Sequence, residues 1–158
     1  MGKINITQEE KELLLKDLCA RLPYGVIVRH ADCIIDDNYN ETGEFHYTKG
    51  YLYDICRMDD MTTTIIESEG EREGYEHICL LERTVPYLRP MSSMTEEEKK
   101  EYRKVCELDT EILTNHPMNG EPFPALYNSQ DWLNAHHFDY RGLIEKGLAL
   151  EALEGMYN

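Results

Sequence analysis

Tyr51-Leu52-Tyr53-Asp54-Ile55-Cys56 and Met61-Thr62-Thr63-Thr64-Ile65-Ile66 decide the fold class. Both runs are rich in β-branched and aromatic residues, and Met58-Asp59-Asp60 between them is a turn-forming cluster. The same alternation of strand and turn signals extends upstream. Val26-Ile27-Val28, Cys33-Ile34-Ile35 and Phe45-His46-Tyr47 favour strands, and Asp36-Asp37-Asn38, Glu41-Thr42-Gly43 and Lys49-Gly50 favour turns. Short strands with tight connections predict a small antiparallel sheet, over about residues 26 to 82, that curls or closes into a barrel.

Helical signals flank the strand-rich region. Thr7-Gln8-Glu9-Glu10 is a capping box, Leu14, Leu15, Leu18 and Leu22 follow at near-helical spacing, and Pro23 with Tyr24-Gly25 stops the pattern. The acidic run Glu67-Ser68-Glu69-Gly70-Glu71-Arg72-Glu73-Gly74 reads as a solvated loop. Tyr75-Glu76-His77-Ile78-Cys79-Leu80-Leu81 fits a last strand or a short helix, which periodicity does not separate. Two prolines hold Val85-Pro86-Tyr87-Leu88-Arg89-Pro90 extended. Thr95-Glu96-Glu97-Glu98 is a second capping box, and Tyr102, Val105, Leu108 and Ile112 form the apolar stripe of a helix ending near His116-Pro117. Pro122, Phe123 and Pro124 make an irregular link, and Asn128 or Ser129 caps a short helix from Asp131 to Ala135. The expected class is α+β, with an N-terminal helix, a small curled or barrel-like antiparallel sheet, and a helical C-terminal half. One domain, 1–158, is expected, with a helix-plus-strand lobe over 1–90 and a helical lobe over 91–158 packed on it. Cys33 and Cys56 each precede an Asp-Asp pair at the same offset, an echo that marks strands running into turns.

Composition narrows function by exclusion. With 16 Lys plus Arg against 31 Asp plus Glu, the formal charge of −15 repels phosphate backbones and anionic membranes and favours basic partners. A 41% hydrophobic fraction with 11 Tyr is enough to drive folding. Cys19, Cys33, Cys56, Cys79 and Cys106 form no C-x-x-C pair, so they read as small buried hydrophobes in a reducing cytoplasm rather than a disulfide or zinc framework. No signal peptide, membrane span or myristoylation signal is expected. Gly70 and Gly74 sit among glutamates that would repel a phosphate, which argues against a nucleotide enzyme.

The segment Asp131 to Leu150 concentrates the remaining chemistry. His136, His137 and Asp139 are the best candidate metal ligands by residue type. Adjacent histidines diverge on either a helix or a strand, so one of them needs partners from elsewhere, such as His30, His46, His77 or His116. Asp36-Asp37, Asp59-Asp60 and Glu41 would gather a hard cation only if their loops met, and turn chemistry explains them more simply. Ser92-Ser93 fits capping rather than a nucleophile. Trp132, Phe138, Tyr140 and Arg141 are residue types of interface hot spots and serve equally well to close a core.

Tyr87 through Glu98, Leu22-Pro23-Tyr24-Gly25-Val26 and the Asp131–Leu150 segment resemble a family of short uncharacterised acidic proteins of bacteria and their phages or mobile elements. The resemblance implies an N-terminal helix, a strand-rich module and helical C-terminal segments, and a phage or mobile-element setting. It transfers no catalytic residue. The leading expectation is a cytoplasmic, non-enzymatic interaction or accessory protein with a protein partner, no cofactor, no catalytic residue, and no direct nucleic-acid or membrane contact. The alternatives are a small metal-dependent hydrolase using His136, His137 and Asp139, and a DNA-mimic inhibitor.

Overall fold

The capping box at Thr7 forms as its chemistry requires: the Glu10 amide donates to Thr7 Oγ1 at 3.2 Å and the Thr7 amide donates to Glu10 Oε2 at 2.8 Å. From it runs α1 (Gln8–Arg21), followed by a 3₁₀ turn that Gly25 ends in the left-handed region at φ +64°. The computed structural model describes residues 5–58, 61–68, 76–115 and 128–157. Its remaining elements are β1 (Ile27–Ile35), β2 (Glu41–Met58), β3 (Met61–Ser68), β4 (Glu76–Leu80), β5 (Thr84–Leu88), α2 (Glu96–Asn115), α3 (Asn128–Ala135) and β6 (Leu150–Glu151).

The six strands make one sheet in the order β4-β3-β2-β1-β5-β6, antiparallel except for the β5–β6 pair. The chain is α+β with an N-terminal helix, and the sheet curls without closing. Its curl is shown by side chains: Thr64 of β3 and Thr84 of β5 have two strands, β2 and β1, between them in the sheet, yet their hydroxyls are 2.6 Å from each other. The closed-barrel option therefore gives way to an open, strongly concave sheet, because β4 and β6 remain edges.

Several strands expected as separate pieces are continuous. Ile27-Val28 and Cys33–Ile35 belong to one strand, with Val26 just before it, since the polar Arg29, His30 and Asp32 between them alternate across the sheet rather than turning the chain. Lys49 and Gly50 are inside β2, where Gly50 is buried opposite both Val28 and Ser68. Gly43, at φ +79°, adjoins the register slip between Cys33 and Ile35, so the turn signal there became a bulge. The Tyr75–Leu81 ambiguity resolves as strand β4. The acidic run after Ser68, the second Asp-Asp pair, His116-Pro117 and the Pro122–Pro124 link lie outside the described residues.

The concave face takes α1 and the closing turns. Leu14 and Leu18 meet Val26, Val28, Leu52, Ile66, Leu81 and Leu88, and Leu143, Leu148 and Ala149 complete the cluster. Each fully buried Leu or Ile contributes on the order of 1.5–3 kcal/mol. A second cluster joins Met94, Leu133 and Phe138, with Tyr102 and Trp132 at its rim. The helical C-terminal half is only partly realised. Residues 136–149 are turns, held by the Asp139 carboxylate, which accepts from the amides of Leu143 and Ile144 at 2.8 Å each. The α2 stripe is also narrower than expected, since Leu108 is 54% exposed while Tyr102 packs on Trp132 in a tilted ring pair with centroids 5.4 Å apart. The residue that α2 sends to cap α3 is Asp109, whose Oδ2 accepts from the Ser129 amide at 3.0 Å.

Candidate functional site

The closing segment is docked. Phe138 is fully buried, its carbonyl accepts from Arg21 Nη2 at 2.8 Å, and its ring lies 4.2 Å beneath the Arg89 guanidinium. Asp17 and Arg21 of α1, both 0% exposed, form a bidentate pair at 2.7 and 3.1 Å, and Arg141 Nη1 donates to the same carboxylate at 2.8 Å. Tyr140 lies under both guanidiniums, and its hydroxyl donates to Asn134 Oδ1 at 3.1 Å. Trp132, Phe138, Tyr140 and Arg141 thus contact the body of the molecule rather than forming a free patch.

His136, His137 and Asp139 are not brought to a common point. His136 stacks on Trp132 with ring centroids 3.8 Å apart, and its Nδ1 is 2.8 Å from the Trp132 carbonyl. His137, at φ +59°, stacks instead on Tyr157 at 3.8 Å. Both Asp139 oxygens accept from backbone amides, so this carboxylate holds the turn rather than meeting the two imidazoles. Burial, reinforced by the nearby Arg21, His136 and Arg89, pushes His137 down to about 4. The two histidines border a cleft of about 790 Å³, in whose wall Arg89 makes a bidentate pair with Glu98 at 2.7 and 3.0 Å beside Glu151 and Glu154. That pair, with the Thr95 amide, holds Glu98 down to about 2.

Titratable side chains do converge elsewhere, on the concave face beyond the apolar core. His30 and Asp32, two apart on β1, share that face by strand alternation. His77 of β4 lies opposite Ile66, a core residue, and so faces the same way. His30 is 1% exposed; its Nε2 is 2.8 Å from Asp32 Oδ2, its ring centroid is 5.7 Å from that of His77, and its Nδ1 has no hydrogen-bond partner. One ligand atom from each of the three residues lies within 4.8 Å of the others. Thr84 stands opposite His30, and His46 stands opposite Asp32. Burial lowers the His30 pKa, which the Asp32 contact opposes and the charges of His77 and His46 reinforce. Burial likewise pushes the Cys79 thiol up to about 12, aided by Asp32.

His30, His46 and His77 were named from the sequence only as partners for a distant pair. The signal that would have found their own cluster is His30-x-Asp32 within a single strand. It was hidden by splitting that strand in two.

The acidic turns behave as turn chemistry. Asp36 Oδ1 accepts from the amides of Asn40 and Asn38, at 2.9 and 2.8 Å, which lowers its pKa, and Glu41 pairs with Arg83 at 3.1 Å. Of the cysteines only Cys79 is buried; Cys19 is exposed and Cys33, Cys56 and Cys106 are intermediate. The expectation of uniformly buried thiols is corrected accordingly, because strand alternation and helix rotation turn the others outward. Among the described residues no helix is long and apolar enough to cross a membrane. In comparisons with known proteins the chain matched no family model, no curated protein and no solved structure.

Proposed function

We propose that the protein is a non-enzymatic interaction protein, an accessory factor of a phage or mobile element, and that it docks through the outer part of its β1–β2 hairpin. The observation that carries this reading is the exposure of that ribbon on both faces. Residues 34–44 are exposed throughout, with Tyr39 at 90% and Ile35 at 57%. A two-stranded ribbon beyond the body of a sheet contributes little to its own stability, so apolar groups at its tip gain by meeting a second surface. Residues 32–47 carry Asp32, Asp36, Asp37, Glu41 and Glu44 and no Lys or Arg. The complementary partner is a protein surface that combines basic and apolar groups.

The test places a photo-crosslinking residue at Asn38, and compares that chain with one carrying the same crosslinker together with Ile35→Asn/Tyr39→Ser, in lysate at low and high salt. The expected result is a crosslinked protein that the variant fails to capture and that high salt releases, with the unfolding midpoint unchanged. Equal capture by the variant, or crosslinking only to a second copy of the chain, refutes docking of a foreign partner by the arm.

A further inference from the structure

We propose that His30, Asp32 and His77 form a binding site for a single divalent transition-metal ion of the zinc class. Two imidazoles and one carboxylate are a donor set that suits zinc and its neighbours, whereas magnesium and calcium take oxygen ligands. The residues come from two strands, β1 and β4, that are separated in the sheet by β3 and β2 and meet only because the sheet is curled.

The distances are those of a site close to its loaded form. Ligand atoms around a tetrahedral zinc stand roughly 3.3 Å apart at the usual bond lengths. The His30–Asp32 separation of 2.8 Å is already near this, and the spread of the group is within 4.8 Å. The remaining contraction falls to side chains free to make it. The Asp32 side chain is 54% exposed and His77 is only partly buried, while His30 is held by the interior. His46, although opposite Asp32, is not part of this group.

The His30 ring is 1% exposed and held by the interior, so one ligand of the group is fixed in place before an ion arrives. Its Nε2, 2.8 Å from Asp32 Oδ2, is the nitrogen turned towards the site.

Three protein ligands leave one tetrahedral position, on the side where Asp32 meets solvent, for a water molecule. The ion would also act as a clasp. By joining β1 to β4 across the concave face it would add a second cross-connection to that of Thr64 and Thr84, so binding would stabilise the fold by mass action.

The experiment is titration calorimetry of the full chain with zinc chloride at pH 7.5, with millimolar Mg²⁺ in both solutions to occupy surface carboxylates. A thermal melt is recorded with and without zinc. One equivalent should bind with a Kd at or below the micromolar range and raise Tm. Asp32→Asn and His77→Ala, chosen because neither residue is fully buried, should each weaken binding at least tenfold and abolish the Tm increase while circular dichroism is unchanged. Absence of zinc binding by the wild-type chain overturns the site. Binding of equal affinity in both variants also overturns it, because the ion is then held by other carboxylates or thiols. This outcome is separable from the docking reading, whose crosslink at Asn38 requires no metal.

Discussion

Asp17→Asn is the substitution whose cost the structure defines most closely. The Asp17 carboxylate accepts three hydrogen bonds from two guanidiniums, and neither it nor Arg21 is exposed to solvent. Arg21 already has one nitrogen, Nη1, without a partner. An asparagine keeps the shape but removes the negative charge and replaces one acceptor by a donor directed at a guanidinium. Each charge-assisted bond is worth roughly 1.5–3 kcal/mol, and the buried Arg21 charge would be left uncompensated. Breaking one side of such a pair costs about 3–5 kcal/mol. An apolar replacement of both partners, Asp17→Leu with Arg21→Met, removes the desolvated charges together and should cost less than the sum of the two single changes. Urea unfolding followed by circular dichroism measures both. A loss under about 1 kcal/mol for Asp17→Asn, or strict additivity in the double variant, would refute the reading of this trio as a buried, mutually compensating network.

The remaining expectations follow from single contacts. Thr7→Ala and Thr95→Ala should each lower stability by about 1 kcal/mol in the same assay, since both boxes are fully hydrogen-bonded. Phe138→Ala should cost about 3–5 kcal/mol, because the ring is completely enclosed and the Arg89 face above it would lose its support. His137 is depressed to about 4 from an ordinary value near 6.5, so the unfolded chain takes up the proton first. Stability tied to neutral His137 is therefore complete above pH 6.5 and is lost as pH falls towards 4, by at most about 3 kcal/mol, and His137→Asn should flatten that part of the pH profile. Alkylation of the native chain followed by peptide mapping should modify Cys19 well before Cys79, which should react only after unfolding.

Local signals in the sequence were legible where one element satisfies its own chemistry. The boxes at Thr7 and Thr95 set helix starts correctly, because both donors and both acceptors lie within four residues. The strand-rich region was legible in kind but not in extent. Glycines at 43 and 50 read as turns, and only pairing with neighbouring strands shows one as a bulge and the other as a buried crossing. The closing segment was correctly read as dense and its short helix at Asp131–Ala135 lies within α3, but the helical C-terminal half is only partly realised, because Asp139 organises turns through amides four and five residues ahead. The convergence of His30, Asp32 and His77 was least accessible: it depends on the curl of the sheet, a property of all the strands together that no single run encodes.

The order in which the sheet acquires its neighbours follows from Tyr157. Its hydroxyl donates to the Tyr87 carbonyl at 2.6 Å and receives the Ile27 amide at 3.1 Å, and burial pushes its pKa upwards. One phenol, translated 130 positions after the strand it touches, thereby spans β1 and β5 at the side of the sheet where Leu150 and Glu151 add the parallel strand. On a ribosome, β5 consequently stays a bare edge, with unpaired amides and carbonyls, from the completion of Leu88 until Leu150 is made. That interval, rather than the finished molecule, is when the chain is most open to pairing with a stranger, and the speed at which residues 150–157 arrive sets its length.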